Sequence, residues 1–160
     1  MTKALSLLVL CLLSGCSAYR LGGPKPDFTT LDIAPVRNTT NRPASNALLQ
    51  QKLAESFGGD PRIKLGPGGA KLDAEIAVFR RDGLTSKATD AFFYTSFRLT
   101  YVVRCTLTDA DGKVLFRNRE FTANATLRPI GNAAGEERSL DGPIFADIAA
   151  QVRDAATTAW

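Results

Sequence analysis

The sequence predicts an α+β fold in which two helices pack on one face of a mostly antiparallel, four- to five-stranded sheet. Three observations carry that expectation. Apolar residues recur at helical spacing in two places, Leu49, Leu53 and Phe57, and then Ile144, Ile148, Val152 and Ala155. Residues 95–108 alternate most cleanly, with Phe97, Leu99, Tyr101, Val103, Cys105 and Leu107 on one side. A sustained period of two marks a strand with one wet face, which favours antiparallel pairing. Asp109-Ala110-Asp111-Gly112 follows at once and reads as a hairpin turn.

In chain order, Lys3 is the only charge ahead of an apolar run over 4–13. A positive residue followed by about 7–15 apolar residues is the pattern of a secretory signal, and the run is too short to span a bilayer. It ends in Leu13-Ser14-Gly15-Cys16. An aliphatic residue, two small residues and a cysteine resemble the bacterial lipobox, so residues 1–15 are expected to be a lipoprotein signal peptide and Cys16 the lipid-bearing residue. Two or three acyl chains there hold a protein on a membrane durably, since each buried methylene contributes about 0.8 kcal/mol. Residues 16–29, with Pro24 and Pro26, read as a tether, and residues 30–160 as a single domain.

Within that domain, 31–36 reads as a first strand, with Pro35 implying an edge or an end, and 38–43 as a polar loop. The first helix is expected over 45–57, stopped by Gly58-Gly59. A short strand is plausible at 62–65, before the loop Gly66-Pro67-Gly68-Gly69. Over 72–79, Leu72, Ala74, Ile76 and Val78 share a face. Residues 80–93 read as a long loop. The polar side of the longest strand carries Ser96, Arg98, Thr100, Arg104, Thr106 and Thr108, with Val102 the exception. In the next strand, 113–126, the apolar parity changes between Phe116 and Phe121, which predicts a bulge near 117–120. The second helix is expected over 143–158, with Pro143 in its first turn.

The composition argues against chemistry. The chain has no histidine, which removes the commonest general base and metal ligand. Of three cysteines, one leaves with the signal and one takes the lipid, so Cys105 has no partner for a disulfide or a zinc site. Gly66-Pro67-Gly68-Gly69-Ala70-Lys71 lacks the spacing of a phosphate loop, and Leu72 stands where the hydroxyl should be. No catalytic residue, metal ligand or non-covalent cofactor is expected, and an enzyme is not. The net charge of +4 is too small to argue for nucleic acid but suits an anionic lipid or polyanionic glycolipid. Arg80, Arg81 and Lys87, with Arg117 and Arg119, are the candidate anion-binding side chains, because guanidinium forks hold phosphate oxygens in pairs. Solvated surface charge is the alternative for each.

These ordered features resemble the LPS-assembly lipoprotein family, LptE. Its members begin with a lipidated cysteine and a Tyr-hydrophobic-Leu-Gly stretch, to which Cys16-Ser17-Ala18-Tyr19-Arg20-Leu21-Gly22-Gly23 is similar. Its Ile-x-Val-Pro-x-Phe-x-Asn-x-Thr-x-x-Pro pattern is similar to Leu31-Asp32-Ile33-Ala34-Pro35-Val36-Arg37-Asn38-Thr39-Thr40-Asn41-Arg42-Pro43, with Arg37 where an aromatic is common. The helix, the strand start at Leu72, the hairpin at Asp111-Gly112 and a closing helix follow in family order, although 80–93 has no counterpart. The resemblance implies an outer-membrane, periplasm-facing lipoprotein that plugs the barrel LptD, assists its assembly and helps lipopolysaccharide reach the outer leaflet. It implies no cofactor beyond the lipid on Cys16. Ser17 agrees with outer-membrane sorting. An activator or scaffold of a periplasmic envelope-synthesis enzyme is the alternative; a long heptad helix, expected of a structural envelope lipoprotein, is absent.

Overall fold

The computed structural model of the chain describes residues 26–87 and 89–158, and at Lys87, Ala91, Phe92 and Phe93 the description is of the backbone. Residues 1–15, expected to be a signal peptide, Cys16 and most of the expected tether over 16–29 lie outside the described residues. Two α-helices cover one face of a six-stranded mixed sheet: β1 (Thr30–Ile33), β2 (Arg37–Asn38), α1 (Ser45–Gly58), β3 (Lys64–Leu65), β4 (Ala70–Lys87), β5 (Asp90–Thr108), β6 (Val114–Leu127) and α2 (Ala133–Thr157). Phe28, on the expected tether, is already part of the core.

The expected sheet of four to five mostly antiparallel strands is corrected to six strands of mixed direction. Spatial order is β3-β1-β4-β5-β6, with β2 also on β4. The antiparallel part is the meander β4-β5-β6, whereas β1 and β2 run parallel to β4, and β1 parallel to β3. The reason is α1. A helical crossover carries the chain back to the end from which it started, so the strand after it pairs in parallel. The single strand expected over 31–36 is divided in two around Pro35, which has no amide to give a ladder.

The stretch 80–93 is not a loop. β4 runs on to Lys87 and β5 begins at Asp90, and they pair as far as Lys87↔Asp90. In β4 residues 81–86 are exposed on both faces, so backbone pairing continues while the apolar alternation that betrays a strand stops. β6 ends opposite Phe97, so the last part of the ribbon outruns the sheet.

Two bulges set which way side chains face. One extra residue at Ala77 breaks the register between Ile76↔Val103 and Val78↔Val102. It turns Val78 outward against Val102, which explains that apolar exception on the polar side. Phe79 turns inward onto Tyr101, with ring centroids 4.8 Å apart. The expected second bulge is present: Cys105 pairs with Arg119 but Leu107 with Phe116, and Asn118 takes φ 50° and donates its N–H to the Thr106 hydroxyl. The hairpin turn closes as expected, with Gly112 at φ 84°.

α2 begins ten residues ahead of Pro143, not at it. Asn132 caps the helix by accepting from the Gly135 N–H, and the Glu136 carboxylate accepts from the Ile130 and Gly131 amides. That is a capping arrangement on the pattern of a capping box. Pro143 stands inside the helix, where the Ser139 carbonyl loses its amide partner. The core lies between the helices and the inner sheet face: Leu49, Leu53 and Phe57 from α1, Ile144, Phe145, Ile148 and Val152 from α2, and Leu72, Ile76, Leu99, Val103, Cys105 and Leu107 from the sheet. Among the described residues no helix is long and apolar enough to cross a membrane.

Candidate functional site

The loop after β2 builds the most organised polar site among the described residues. Asn38 accepts from the Thr40 amide and hydroxyl (2.9 and 2.7 Å) and donates to the Arg42 carbonyl (2.6 Å). Thr39 ties the loop to β4 through its amide and hydroxyl, both donated to the Ile76 carbonyl. The Asn-x-Thr pattern is thus a self-bonded turn whose product is a fixed direction for Arg42. Ala44 follows at φ 63°, a left-handed conformation that costs a residue with a Cβ about 1–2 kcal/mol, and α1 begins without a side-chain cap.

Arg42 reaches between the helices and the sheet. Its Nε donates to the Tyr101 hydroxyl (3.1 Å), Nη1 to Glu137 (2.8 Å) and Nη2 to Asp141 (2.9 Å). Tyr101 donates onward to the other oxygen of Asp141 (3.0 Å), and the Arg42 guanidinium lies 4.7 Å from the Phe79 ring centre. Glu137 and Asp141 are one helical turn apart on α2, so one fork meets both. Burial opposes the charge on Arg42, but its bonds to Tyr101 and Asp141 outweigh this and its pKa is raised. Tyr101 is raised too, chiefly by burial and then, against the bonds from Arg42 and Ser45, by the Asp141 charge. Both groups are therefore locked in their protonated forms, which suits structure or recognition and not proton transfer. Beside them is a cavity of about 670 Å³ between Pro43, Ala44 and Leu48 on one side and Ala134 and Arg138 on the other.

None of these four side chains is conspicuous in the sequence alone. The signals are slight: Tyr101 is the one hydroxyl on an otherwise apolar strand face, and Arg42 sits between the Asn and Pro of the patterned loop. Glu137 and Asp141 are spaced for one helical face, but in a stretch whose helical character the sequence hides.

The five basic candidates do not gather on one surface. Because neighbouring strand residues face opposite ways, Arg80 turns outward beside Thr100 while Arg81 turns inward. Arg81 lies 3.4 Å from Glu137 and 3.9 Å from the centre of the Phe97 ring. Lys87 ends β4 at the tip of the ribbon, and its side chain lies outside the described residues. Arg117 and Arg119 flank the second bulge, five residues along β5 from the row of Arg80, roughly 17 Å away. Arg119 faces the helices and lies over Phe121 (5.5 Å), at a cleft shared with Asp154 and Gln151. Thr100, on the polar side, is only 6% exposed, being flanked by Arg80 and Asn124 in its row.

The open sheet face carries a row of alternating charge across four strands. Arg37 meets Glu75 (3.0 Å), Glu75 meets Arg104 (3.9 Å), and Arg104 meets Glu120 (3.1 Å). Such exposed pairs contribute about 0–1 kcal/mol each, and they leave the row nearly neutral. Burial pushes the Cys105 thiol up to about 12, so it is an inert core residue. No group of three acidic, histidine or cysteine side chains fit for a metal occurs among the described residues.

A family model described as LptE, lipopolysaccharide-assembly, matches residues 28–156. Among solved structures, the fold is similar to an uncharacterized lipoprotein B from Nitrosomonas europaea. That likeness has a TM-score of 0.61 at 19% identity over 87% of this chain and 90% of that one. It is also similar to a minor lipoprotein from Acinetobacter baumannii, with a TM-score of 0.58 at 18% identity over 80% of this chain and 92% of that one. No curated protein matches the chain by sequence.

Proposed function

Because the chain belongs to the LptE lipopolysaccharide-assembly family, whose members are non-enzymatic assembly proteins, we propose that it is an outer-membrane lipoprotein that plugs the LptD barrel, assists its assembly and aids lipopolysaccharide insertion into the outer leaflet. The observation that carries this reading is the family match over 28–156, which takes in almost the whole described domain. The lipobox-like Leu13-Ser14-Gly15-Cys16 supports a covalent lipid on Cys16, with residues 1–15 removed and the remaining tether joining the anchor to a single domain. Lipopolysaccharide phosphates would meet the basic residues of the ribbon and of the second bulge. Arg80 and Lys87 belong to the ribbon, and Arg117 and Arg119 to the bulge, so two separate contacts replace one patch. Arg81 would contribute least, since Glu137 already engages it.

The test is affinity capture of the tagged full-length chain from detergent-solubilised membranes of the bacterium that makes it. A stoichiometric barrel partner is expected, together with an acylated mature mass that Cys16→Ala abolishes. Stoichiometric capture of an envelope-synthesis enzyme, with no barrel, would sink the proposal.

A further inference from the structure

The two parts of α2 are attached by different physics. After Pro143 its buried side chains are Ile144, Phe145, Ile148, Ala149, Val152 and Ala156, all apolar apart from Thr157 at the end. Before Pro143 its buried side chains are Glu137 and Asp141, both held by Arg42, and Leu140 is the one larger apolar side chain packed on the core. The boundary falls at Gly142-Pro143. There the helix lacks one hydrogen bond, and glycine has the least helical preference of any residue but proline. At its other end this segment begins as a turn already closed by Asn132 and Glu136. Ahead of that turn the chain is exposed, with Ile130 at 96%, and the Ile130 and Gly131 amides are tied to Glu136, inside the segment itself.

We propose that residues 133–142 form a flap that opens as a unit about Gly142-Pro143 while the rest of α2 stays docked, with Arg42 as its latch. Besides Arg42, the charged groups facing the flap are Arg81 from β4, which lies 3.4 Å from Glu137, and Tyr101, whose hydroxyl bonds Asp141. Opening separates one side of the 670 Å³ cavity from the other and frees the Tyr101 hydroxyl from Asp141, while the Tyr101 ring stays against Phe145, 4.6 Å away. A hydrophobically glued helix opens only with its core, whereas a segment held by a few ion pairs is released when one partner goes.

Native-state hydrogen exchange on the full chain in detergent tests this directly. In the unaltered protein, amides of 137–142 should exchange at least tenfold faster than those of 147–156, with a step at Pro143. Arg42→Gln should speed the first group at least tenfold further and leave the second within threefold. Pro143→Ala, which restores the missing amide, should slow the first group and shrink the step. Should Arg42→Gln fail to fold, the step in the unaltered protein and its response to Pro143→Ala decide the matter. A graded decline from Ala133 inward with no step is ordinary end fraying and overturns the proposal. Equal acceleration of both groups by Arg42→Gln overturns it as well, because α2 would then be one cooperative unit.

Discussion

Glycine 69 illustrates how one missing side chain decides a junction. A Cβ built there would sit 2.1 Å from the Thr30 carbonyl oxygen, where β1 and β4 begin to pair in parallel, whereas one at Gly66 would meet nothing within 4 Å. Gly69→Ala should therefore destabilise the domain by about 2–3 kcal/mol, as overpacking against backbone does. Gly66→Ala should be neutral or slightly stabilising, since it restricts the unfolded chain. Urea midpoints check both, and equal effects would refute the close approach. A second single-residue test concerns acid. Hydrogen bonds from the Arg62 guanidinium hold the Asp60 carboxyl at about 2, below its ordinary 3.8. A depressed carboxylate contributes stability that is complete above its unfolded value and lost as pH falls through its folded one. The advantage of the unaltered protein over Asp60→Asn should therefore hold at pH 5 and shrink between about pH 4 and pH 2. A constant difference over that window would show that the pair does nothing for folding.

At the scale of one element, β5 turns an apolar face inward, with Leu99, Tyr101, Val103, Cys105 and Leu107 all fully buried. Val103 is wholly buried between Ile76 and Phe121, so Val103→Asp places an unpaired carboxylate in the core and should abolish cooperative folding. Thr122, exposed on the open face of β6 beside Val102, should accept aspartate at a cost within about 0.5 kcal/mol. Circular dichroism melts distinguish the two, and the reverse ranking would invert the register. Much of this was legible beforehand, because burial on one face writes a period of two into the residues themselves. The bulge between Phe116 and Phe121 was legible for the same reason, as a change of parity. The bulge at Ala77 was not, since Val78 is as apolar as the inward residue expected there. The far end of β4 and the start of α2 were hidden alike: residues 81–86 are exposed on both faces, and the start of α2 turns charges inward.

For the whole molecule, the split of the basic residues changes what charge reversal should do. Arg80→Glu combined with Arg117→Glu alters both proposed contacts without touching the core, since both side chains are exposed. Charge-assisted bonds contribute about 1.5–3 kcal/mol each where water is excluded. Binding of the purified chain to lipopolysaccharide should therefore weaken at least tenfold at low salt. The difference should narrow as salt rises, because exposed charges are screened beyond about 10 Å at 0.1 M. The melting temperature should hardly move. Unaltered affinity with an intact fold would return these residues to solvated surface and leave the glycolipid contact without its proposed residues.

By itself the sequence determined the α+β class, the position of α1, the long strand with its hairpin and the second bulge. It also determined the place of Cys105 on the apolar strand face and the family pattern around Asn38. Each of these is recorded in residues a few positions apart, because one buried face repeats every two or every 3.6 residues. Only the tertiary structure decided the parallel edge strands, which at two to four residues are too short to show a period. Which of Arg80 and Arg81 faces inward was set by the bulge at Ala77. The tertiary structure also decided the junction where Arg42 meets Tyr101, Glu137 and Asp141 across 59, 95 and 99 residues of chain. No local pattern encodes a contact between residues so far apart. Folding brings them together, and the half-buried guanidinium is then held by the two carboxylates and the hydroxyl that surround it.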